Sequence, residues 1–555
     1  MSDSSSFHYD VVIAGGGFAG VYCARTLTRE FRGSAKQRVA LISDQNFLVF
    51  QPMLAEVAGS SLAPRHVVNP LRRLCPEVTV LRGAIGSIDL PGRSFTVEPG
   101  DFTAKLQIRF EHLVLAMGSV VDLSRVPGMP EHALVMKNVG DALKLRGAII
   151  DRFEEANLEA DPKNQARLLT IVVVGGGYSG VETAGQLLDL ALEMSDSYSR
   201  IQREQVRVVL VHSGDHLLPE ISASLGRYAE ENLRRRGMDI RLNMRVTSMT
   251  PSKAMLSDGS VIETHTVIST VGNGPNPLIT ALCKTYGVAN EKGRLITDDK
   301  LRVAGQERLW AAGDCAAVPM PPERAPKTAP SPFEKRAFCP PTAQFALRQG
   351  QLLGRNLAAV LGGDAPLKSF TFTGLGELAA IGHHAAVAEI LGMQFQGFVA
   401  WWLWRSIYLM KLPGLERKVR VMLDWTLDLF FPRDIALFQP RPTKLIKEMH
   451  LEKGDCVFHA GDPANSLYIV KVGKLELCTV DGAVLRTLTA GHQLGKDTLY
   501  YKKAWVFTAT ACEPTTLVAV SAEVFETVTR AGATVDEVFM INEPEGKPAE
   551  AAVAV

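Results

Sequence analysis

The chain has 555 residues, 46% of them hydrophobic and 21% charged, with 60 Lys plus Arg against 59 Asp plus Glu. That length implies three or four domains at roughly 150 residues each, and the ordinary composition excludes a disordered or fibrous protein. A net charge of +1 gives no support for a nucleic-acid partner, and eight cysteines without paired spacing exclude a disulfide scaffold and point to a reducing compartment.

The chain opens with MSDSSSFHYD, which has neither a basic start leading into an apolar run nor an Arg-rich composition, so no signal or transit peptide is expected. Residues 9–14 form a short apolar run, predicted as a buried parallel strand. It leads into Gly15-Gly16-Gly17-Phe18-Ala19-Gly20, a match to G-x-G-x-x-G, and then into a helix through Arg29. Gly15 permits the tight turn, Gly17 lets the backbone approach a pyrophosphate, and Gly20 lets helix and strand pack closely. The helix N-terminus offers N–H groups and a positive dipole end to the phosphates. A second strand over 38–43 ends at Asp44, whose carboxylate is placed to accept ribose hydroxyls.

The pattern recurs. A strand over 168–174 precedes Gly175-Gly176-Gly177-Tyr178-Ser179-Gly180-Val181-Glu182 and a long helix, and a further strand runs over 206–211. Gly175, Gly177 and Gly180 repeat the three glycine roles. Two dinucleotide folds in one chain imply two dinucleotides, and the pairing that does chemistry is a bound flavin with a nicotinamide. At the end of the 206–211 strand, His212 stands where the ribose carboxylate belongs. A neutral imidazole binds a 2′-hydroxyl less firmly and does not repel a 2′-phosphate, which leaves NADH against NADPH open. His212 and His216 are separated by loop residues and are not read as metal ligands; no metal is expected.

These residues resemble a family. GGGYSGVE at 175–182, followed by Thr183-Ala184-Gly185, is similar to the second motif of the type II NADH:quinone dehydrogenases. Phe50-Gln51-Pro52-Met53-Leu54 with Val57-Ala58-Gly59, the 113–118 segment ending at Gly118, the segment from Trp310 to Ala316, and the helix opening at Thr342-Ala343 with Gln344 and Gln349 resemble further motifs of that family. The resemblance covers about residues 7–440. It implies FAD held by Gly15, Gly17, Ala19, Gly20, Asp44, Gln51, Gly118, Asp314 and Ala343, and NAD(P)H held by Gly175, Gly177, Gly180, Glu182 and His212. Asp314 can accept from the ribityl chain, and the helix N-terminus at Ala343 aims N–H groups at the flavin. By the same resemblance Gln344 and Gln349 border a quinone pocket, and Glu182 lies near the nicotinamide and is linked to proton supply. These three are the candidate catalytic residues. Disulfide reductases share the two-nucleotide plan, but residues 45–74 contain no cysteine, which excludes their chemistry.

Four of the six tryptophans, Trp401, Trp402, Trp404 and Trp425, fall in a region rich in Arg and Lys. The apolar run 398–404 is too short to span a bilayer. Val419, Met422, Leu423, Leu427 and Phe430 recur at helical spacing, with Arg417, Arg420, Asp424 and Asp428 on another face, so a helix lying in the membrane interface is expected over 397–431. The expected location is peripheral, on the cytoplasmic face of the inner membrane. After Pro440, short alternating strands resemble a cyclic-nucleotide-binding β-roll, but Lys496 and Phe507 stand where its carboxylate and arginine belong. Lys502 and Lys503 alter the electrostatics nearby. A structural or dimer-forming role, hence a homodimer, is favoured there over nucleotide binding.

The fold class is α/β: two nested Rossmann-type dinucleotide-binding domains, a membrane-associating helical segment and an added β-roll. The expected domains are 1–139 with 290–370 for FAD, 140–289 for NAD(P)H, 371–440 for the membrane, 441–535 for the β-roll, and a disordered tail over 536–555. The Pro-rich 318–341 loop is expected to rim the substrate entrance. The function expected is a non-pumping NAD(P)H:quinone oxidoreductase. Another quinone-linked flavoprotein, such as a sulfide:quinone reductase, is one alternative: that family uses cysteines near the flavin, and Cys315 and Cys339 flank the Pro-rich loop, but it needs no nicotinamide, so the 175–182 motif argues against it. A redox or nucleotide sensor is the other.

Overall fold

The computed structural model describes residues 6–31, 38–99, 105–321, 338–363, 365–436, 446–462, 464–501 and 503–530. Lys502, most of the Pro-rich loop and the tail beyond 530 lie outside them. The first sheet has the strand order Thr79–Arg82, Val39–Ser43, Ser6–Ala14, Leu106–Leu115, Ser94–Glu98, Ala84–Asp89. Its central strands are parallel and contiguously apolar because helices cover both faces; Val11, Val12 and Ile13 are fully buried. The chain leaves this sheet and returns to it, with Leu309–Ala311 pairing in parallel with Leu113–Leu115. Between departure and return it builds a second sheet, all parallel, ordered Leu134–Val135, Thr266–Ser269, Thr170–Val174, Arg207–Val211, Asp239–Arg241. Val120–Val121 pairs with Asn273–Gly274 where the two outgoing and returning connections meet.

The strand expected from residue 168 starts at Thr170. Asp161 caps a short helix, Pro162–Leu168, by accepting from Lys163 N–H, and Pro162 supplies the fixed φ of a first helical residue. Asp314 sits in a 3₁₀ turn, Gly313–Cys315, directly after the Leu309–Ala311 strand.

Two helices of the first unit, Phe18–Phe31 and Ala343–Gly362, cross at very short range. Gly350 makes this possible: a Cβ there would overlap the Ala19 carbonyl oxygen, and one on Gly354 would lie 2.6 Å from the Cys23 carbonyl. This crossing brings the first glycine loop against the N-terminus of the 343–362 helix.

A three-stranded antiparallel sheet, Gly376–Gly382, Ala385–Ile390, Met393–Gln396, follows and packs on the Tyr178–Ser195 helix. It feeds a helix pair, Gly397–Lys411 and Leu415–Leu427. No helix among the described residues is long and apolar enough to cross a membrane. The remaining chain forms two antiparallel four-stranded sheets over 446–521 and a final helix, Ala522–Arg530. They abut the second unit through Lys253 Nζ to Asp455 at 2.7 Å and through His450 N–H, which donates to His132 Nε2 at 3.0 Å.

Gly350→Ala is expected to lower stability by about 1–3 kcal/mol through overpacking of the helix crossing. Gly362→Ala, on the same helix but with open space around its Cβ, is expected to be neutral or stabilising by up to about 1 kcal/mol. Denaturant midpoints of the two variants check the contrast.

Candidate active site

The two glycine loops adopt matching conformations. Gly15 and Gly175 have φ of 120° and 119°, a region that favours glycine. A Cβ on Gly20 would overlap the Gly15 carbonyl, and one on Gly180 would overlap the Gly175 carbonyl. Gly17 faces open space, with nothing within 4 Å of a built Cβ, so the cradle fits a pyrophosphate approaching the start of the helix. At Gly177 the built Cβ meets the Glu220 carboxylate at 3.4 Å. Glu220 therefore leans over the second loop, a feature that sequence reasoning missed. His212 lies beneath this loop: its Nδ1 accepts from Gly176 N–H at 3.0 Å, and burial holds the imidazolium form back. The acceptor role fixes the neutral ring with its proton on Nε2.

Asp44 is exposed at the end of its strand, with Oδ1 accepting from Gln45 N–H at 2.8 Å. Residues expected to hold the flavin come together through two side chains the sequence did not single out. Asp314 Oδ2 accepts from Ser119 Oγ at 3.2 Å, Ser119 accepts from Lys137 Nζ at 2.8 Å, and Gln51 Nε2 donates to the Lys137 carbonyl at 3.4 Å. Gly118, beside Ser119, has φ 67° and open space about its Cβ. Ala343 opens the 343–362 helix, whose N-cap Thr342 supplies no side-chain cap and so leaves the first N–H groups available to a ligand. These features suit FAD: an open glycine cradle, an exposed ribose acid, an Asp–Ser–Lys network and an uncapped helix N-terminus.

The two glutamines differ. Gln344 Nε2 donates to Glu377 Oε1 at 3.1 Å, on the 376–382 strand. Gln349 is buried, and its Oε1 accepts from Gly313 N–H at 2.8 Å, so it braces the Asp314 turn. Arg348, between them, lies 4.0 Å from the Phe372 ring centroid.

Glu182 is half-buried on the Tyr178–Ser195 helix, its carboxyl turned into the protein, and has no cation within ion-pairing distance among the described residues. It accepts from Ala380 N–H and from the Trp404 indole N–H, each at 3.1 Å. Burial pushes its carboxyl up to about 8, against the opposing pull of those two donors. Tyr408 is packed beside Trp404, with ring centroids 4.7 Å apart, and burial and the Glu182 and Glu377 charges hold its phenol protonated.

The tryptophans correct one expectation. Trp404 and Trp425 face inward and are buried, while Trp402 is 59% exposed. The helix pair nonetheless presents an outward apolar face of Phe398, Met422, Leu423, Leu427 and Phe430. Asp424 and Asp428, expected on a face apart from the apolar one, turn inward to His66 and to Arg405 and Arg433.

Cys315 and Cys339 are buried thiols, and desolvation pushes them up to about 11 and about 12. Such thiols are poor nucleophiles at neutral pH, which disfavours sulfide chemistry. Among the described residues no group of three or more His, Cys, Asp or Glu could hold a metal. In the C-terminal sheets, Trp505 is buried and stacks on Phe458 at 3.9 Å between centroids, with Phe507 beside both. Phe507 thus adds to an aromatic core rather than replacing an anion-binding arginine with another polar group.

Comparisons with known proteins agree on the plan. The pyridine nucleotide-disulphide oxidoreductase family matches residues 9–350, the NDH2 C-terminal domain 375–434 and the cyclic nucleotide-binding domain 448–542. The type II NADH:quinone oxidoreductase Ndh of Mycobacterium tuberculosis is 31% identical over 427 residues, 75% of this chain and 87% of that one. A probable NADH dehydrogenase of Dictyostelium discoideum is 29% identical over 73% of this chain and 87% of its own length. The fold is that of NDH2 from Plasmodium falciparum, solved with NADH: TM-score 0.69 at 19% identity, covering 78% of this chain and all of that one.

The carboxyl of an unfolded Glu ionises near 4.5, while that of Glu182 keeps its proton up to about 8. Between those values the folded state holds the extra proton, so stability falls as pH rises. Glu182→Gln removes this slope. Relative to the wild type it is expected to gain stability steadily across that window, by up to about 1.4 kcal/mol per pH unit. A difference that stays constant with pH, measured by denaturant unfolding, would contradict the neutral Glu182.

Proposed function

The chain belongs to the type II NADH:quinone oxidoreductases, within the pyridine nucleotide-disulphide oxidoreductases, and on that footing we propose that it oxidises NADH and reduces a quinone through FAD. The observation that carries the reading is the pair of matched glycine loops, with the first opening toward an uncapped helix N-terminus and the second leading directly into Glu182. The flavin, when bound, supplies the two-electron step between nicotinamide and quinone.

The chain's own residues bind, orient and exclude water. The Gly15–Gly20 loop and Asp44 take the flavin's adenine nucleotide half, and Gln51, Gly118, Asp314 and Ala343 its other half. The Gly175–Gly180 loop takes the nicotinamide nucleotide. His212 presents no positive charge that would hold a 2′-phosphate, and Glu220 adds a negative charge to the same loop; on this balance we assign NADH as the better substrate. Gln344 borders the quinone and is held by Glu377. Gln349 acts from behind, by fixing the Asp314 turn. Glu182 keeps a proton available at neutral pH. The finer architecture we propose is two nested Rossmann domains, an added β-roll with a structural role, and peripheral attachment through the outward face of the 397–431 region, on the cytoplasmic side of the inner membrane. The apolar outer face and the inward pairing of Asp424 and Asp428 support that attachment.

Steady-state turnover of the flavin-loaded protein tests the function. NADH oxidation is expected to depend on added short-chain quinone and to exceed NADPH oxidation; no turnover with either nucleotide would sink the reading. Flotation with anionic vesicles tests attachment. Wild-type protein is expected to float, and Leu423→Glu with Phe430→Glu is expected to stay in solution while keeping turnover with a water-soluble quinone. Equal flotation of both would contradict the assigned face.

A further inference from the structure

Glu56 is a buried carboxylate to which the reaction so far gives no task. It lies on the short helix Leu54–Ala58 at 3% exposure, and among the described residues no cation sits within ion-pairing distance of it. Its two oxygens accept the indole N–H of Trp425 at 3.1 and 3.2 Å. Glu182 repeats the arrangement on the neighbouring helix, with the Trp404 indole as donor. The two indoles belong to successive helices, and their rings are 6.2 Å apart. Apolar residues at both positions would satisfy packing at lower cost than two desolvated carboxyls, so stability alone does not account for the pair.

We propose that Glu56 is a positioning residue of the reaction, sharing protons with Glu182 so that the pair, and not Glu182 alone, sets the pH range over which a proton can be given up. This rests on the quinone-reductase reading above. NADH and a quinone form NAD+ and a quinol only if one proton joins the transferred hydride: NADH + Q + H+ gives NAD+ + QH2. That proton leaves a carboxyl O–H of the pair as the quinol O–H forms, and solvent water restores it. Glu56 is faced by Arg405 of the 397–411 helix, by Asp428 and Arg433 after the 415–427 helix, and by Glu182. Arg405 and Arg433 are themselves engaged with Asp428 at 3.8 and 3.6 Å, and Arg433 also with Asp189 and Glu193. Glu182 is faced by Glu56, Tyr408 and the Trp404 indole. Burial pushes Glu56 up to about 7, and its charge raises Glu182 further, so the two titrate as a coupled unit.

The pH profile of NADH:quinone turnover tests this with variants that push in opposite directions. Glu56→Gln keeps an acceptor for Trp425 and removes the like charge, which eases ionisation of Glu182. The alkaline limb is expected to move down by about one pH unit. Trp425→Phe removes a donor from the Glu56 carboxylate, so the pair holds its last proton to higher pH and the limb is expected to move up; this variant serves if the first does not fold. Trp404→Phe removes a donor from the Glu182 carboxylate, and the limb is expected to move up. Infrared titration of the holoenzyme reads the carboxyls without turnover: the wild type is expected to show two protonated carboxyls at pH 6 that Glu56→Gln reduces to one. Wild-type protein inactive with quinone would sink the function and leave the infrared result standing. An active wild type whose limb and Glu182 titration are unmoved in Glu56→Gln, Trp425→Phe and Trp404→Phe would overturn the pair.

Discussion

A carboxylate taken out of water without a cation beside it costs several kcal/mol unless hydrogen bonds replace the lost hydration or a proton neutralises it. Glu182 has both compensations, and much of the molecule is arranged to provide them. The Ala380 N–H comes from the three-stranded sheet, which can approach only because Gly185 has no side chain; a Cβ there would lie 2.6 Å from the Ile381 carbonyl. The Trp404 N–H comes from the helix pair. From there a run of edge-on rings leads back to the flavin loop: Trp404 to Tyr408, Tyr408 to Phe50, and Phe50 to Phe18, at 4.7, 6.1 and 5.8 Å. The segment that we assign to the membrane is thus packed continuously against the site it serves.

Duplication explains the rest of the plan. Two loops with the same positive φ at their first glycine present two helix N-termini, one beside each of the two sheets, and the chain's return to the first sheet at Leu309–Ala311 closes the arrangement. The loops diverge where their ligands should differ. The first is open at Gly17 and followed by the exposed Asp44, while the second carries Glu220 over Gly177 and His212 beneath Gly176.

What was legible in the sequence is what is local. Glycine spacing, the apolar strands around it and Asp44 specify each loop within a few tens of residues, and the structure places them accordingly. The resemblance gave Gln344 and Gln349 one role, a pocket border; five residues along the helix, Gln344 is half-buried while Gln349 is buried and its side-chain oxygen is engaged by the Gly313 N–H, a contact with no local signature. Trp404 and Trp425 looked like interfacial anchors, since tryptophan beside arginine is what such a helix displays. Their indoles instead reach carboxylates 222 and 369 residues away in the chain, a relation with no local signature. Glu56 did leave a signal, a single acid within the apolar run from Met53 to Ala58. Glu220, Ser119 and Lys137 left none, because only the fold brings them to the loops.

We propose that the two nucleotide sites are joined in one redox path ending at a quinone. The most direct measurement is anaerobic stopped-flow spectroscopy of the flavin-loaded protein. One equivalent of NADH is expected to bleach the flavin absorbance, and a short-chain quinone, mixed afterwards, to restore it. Absorbance unchanged by NADH, or bleached by NADH and not restored by quinone, would contradict it.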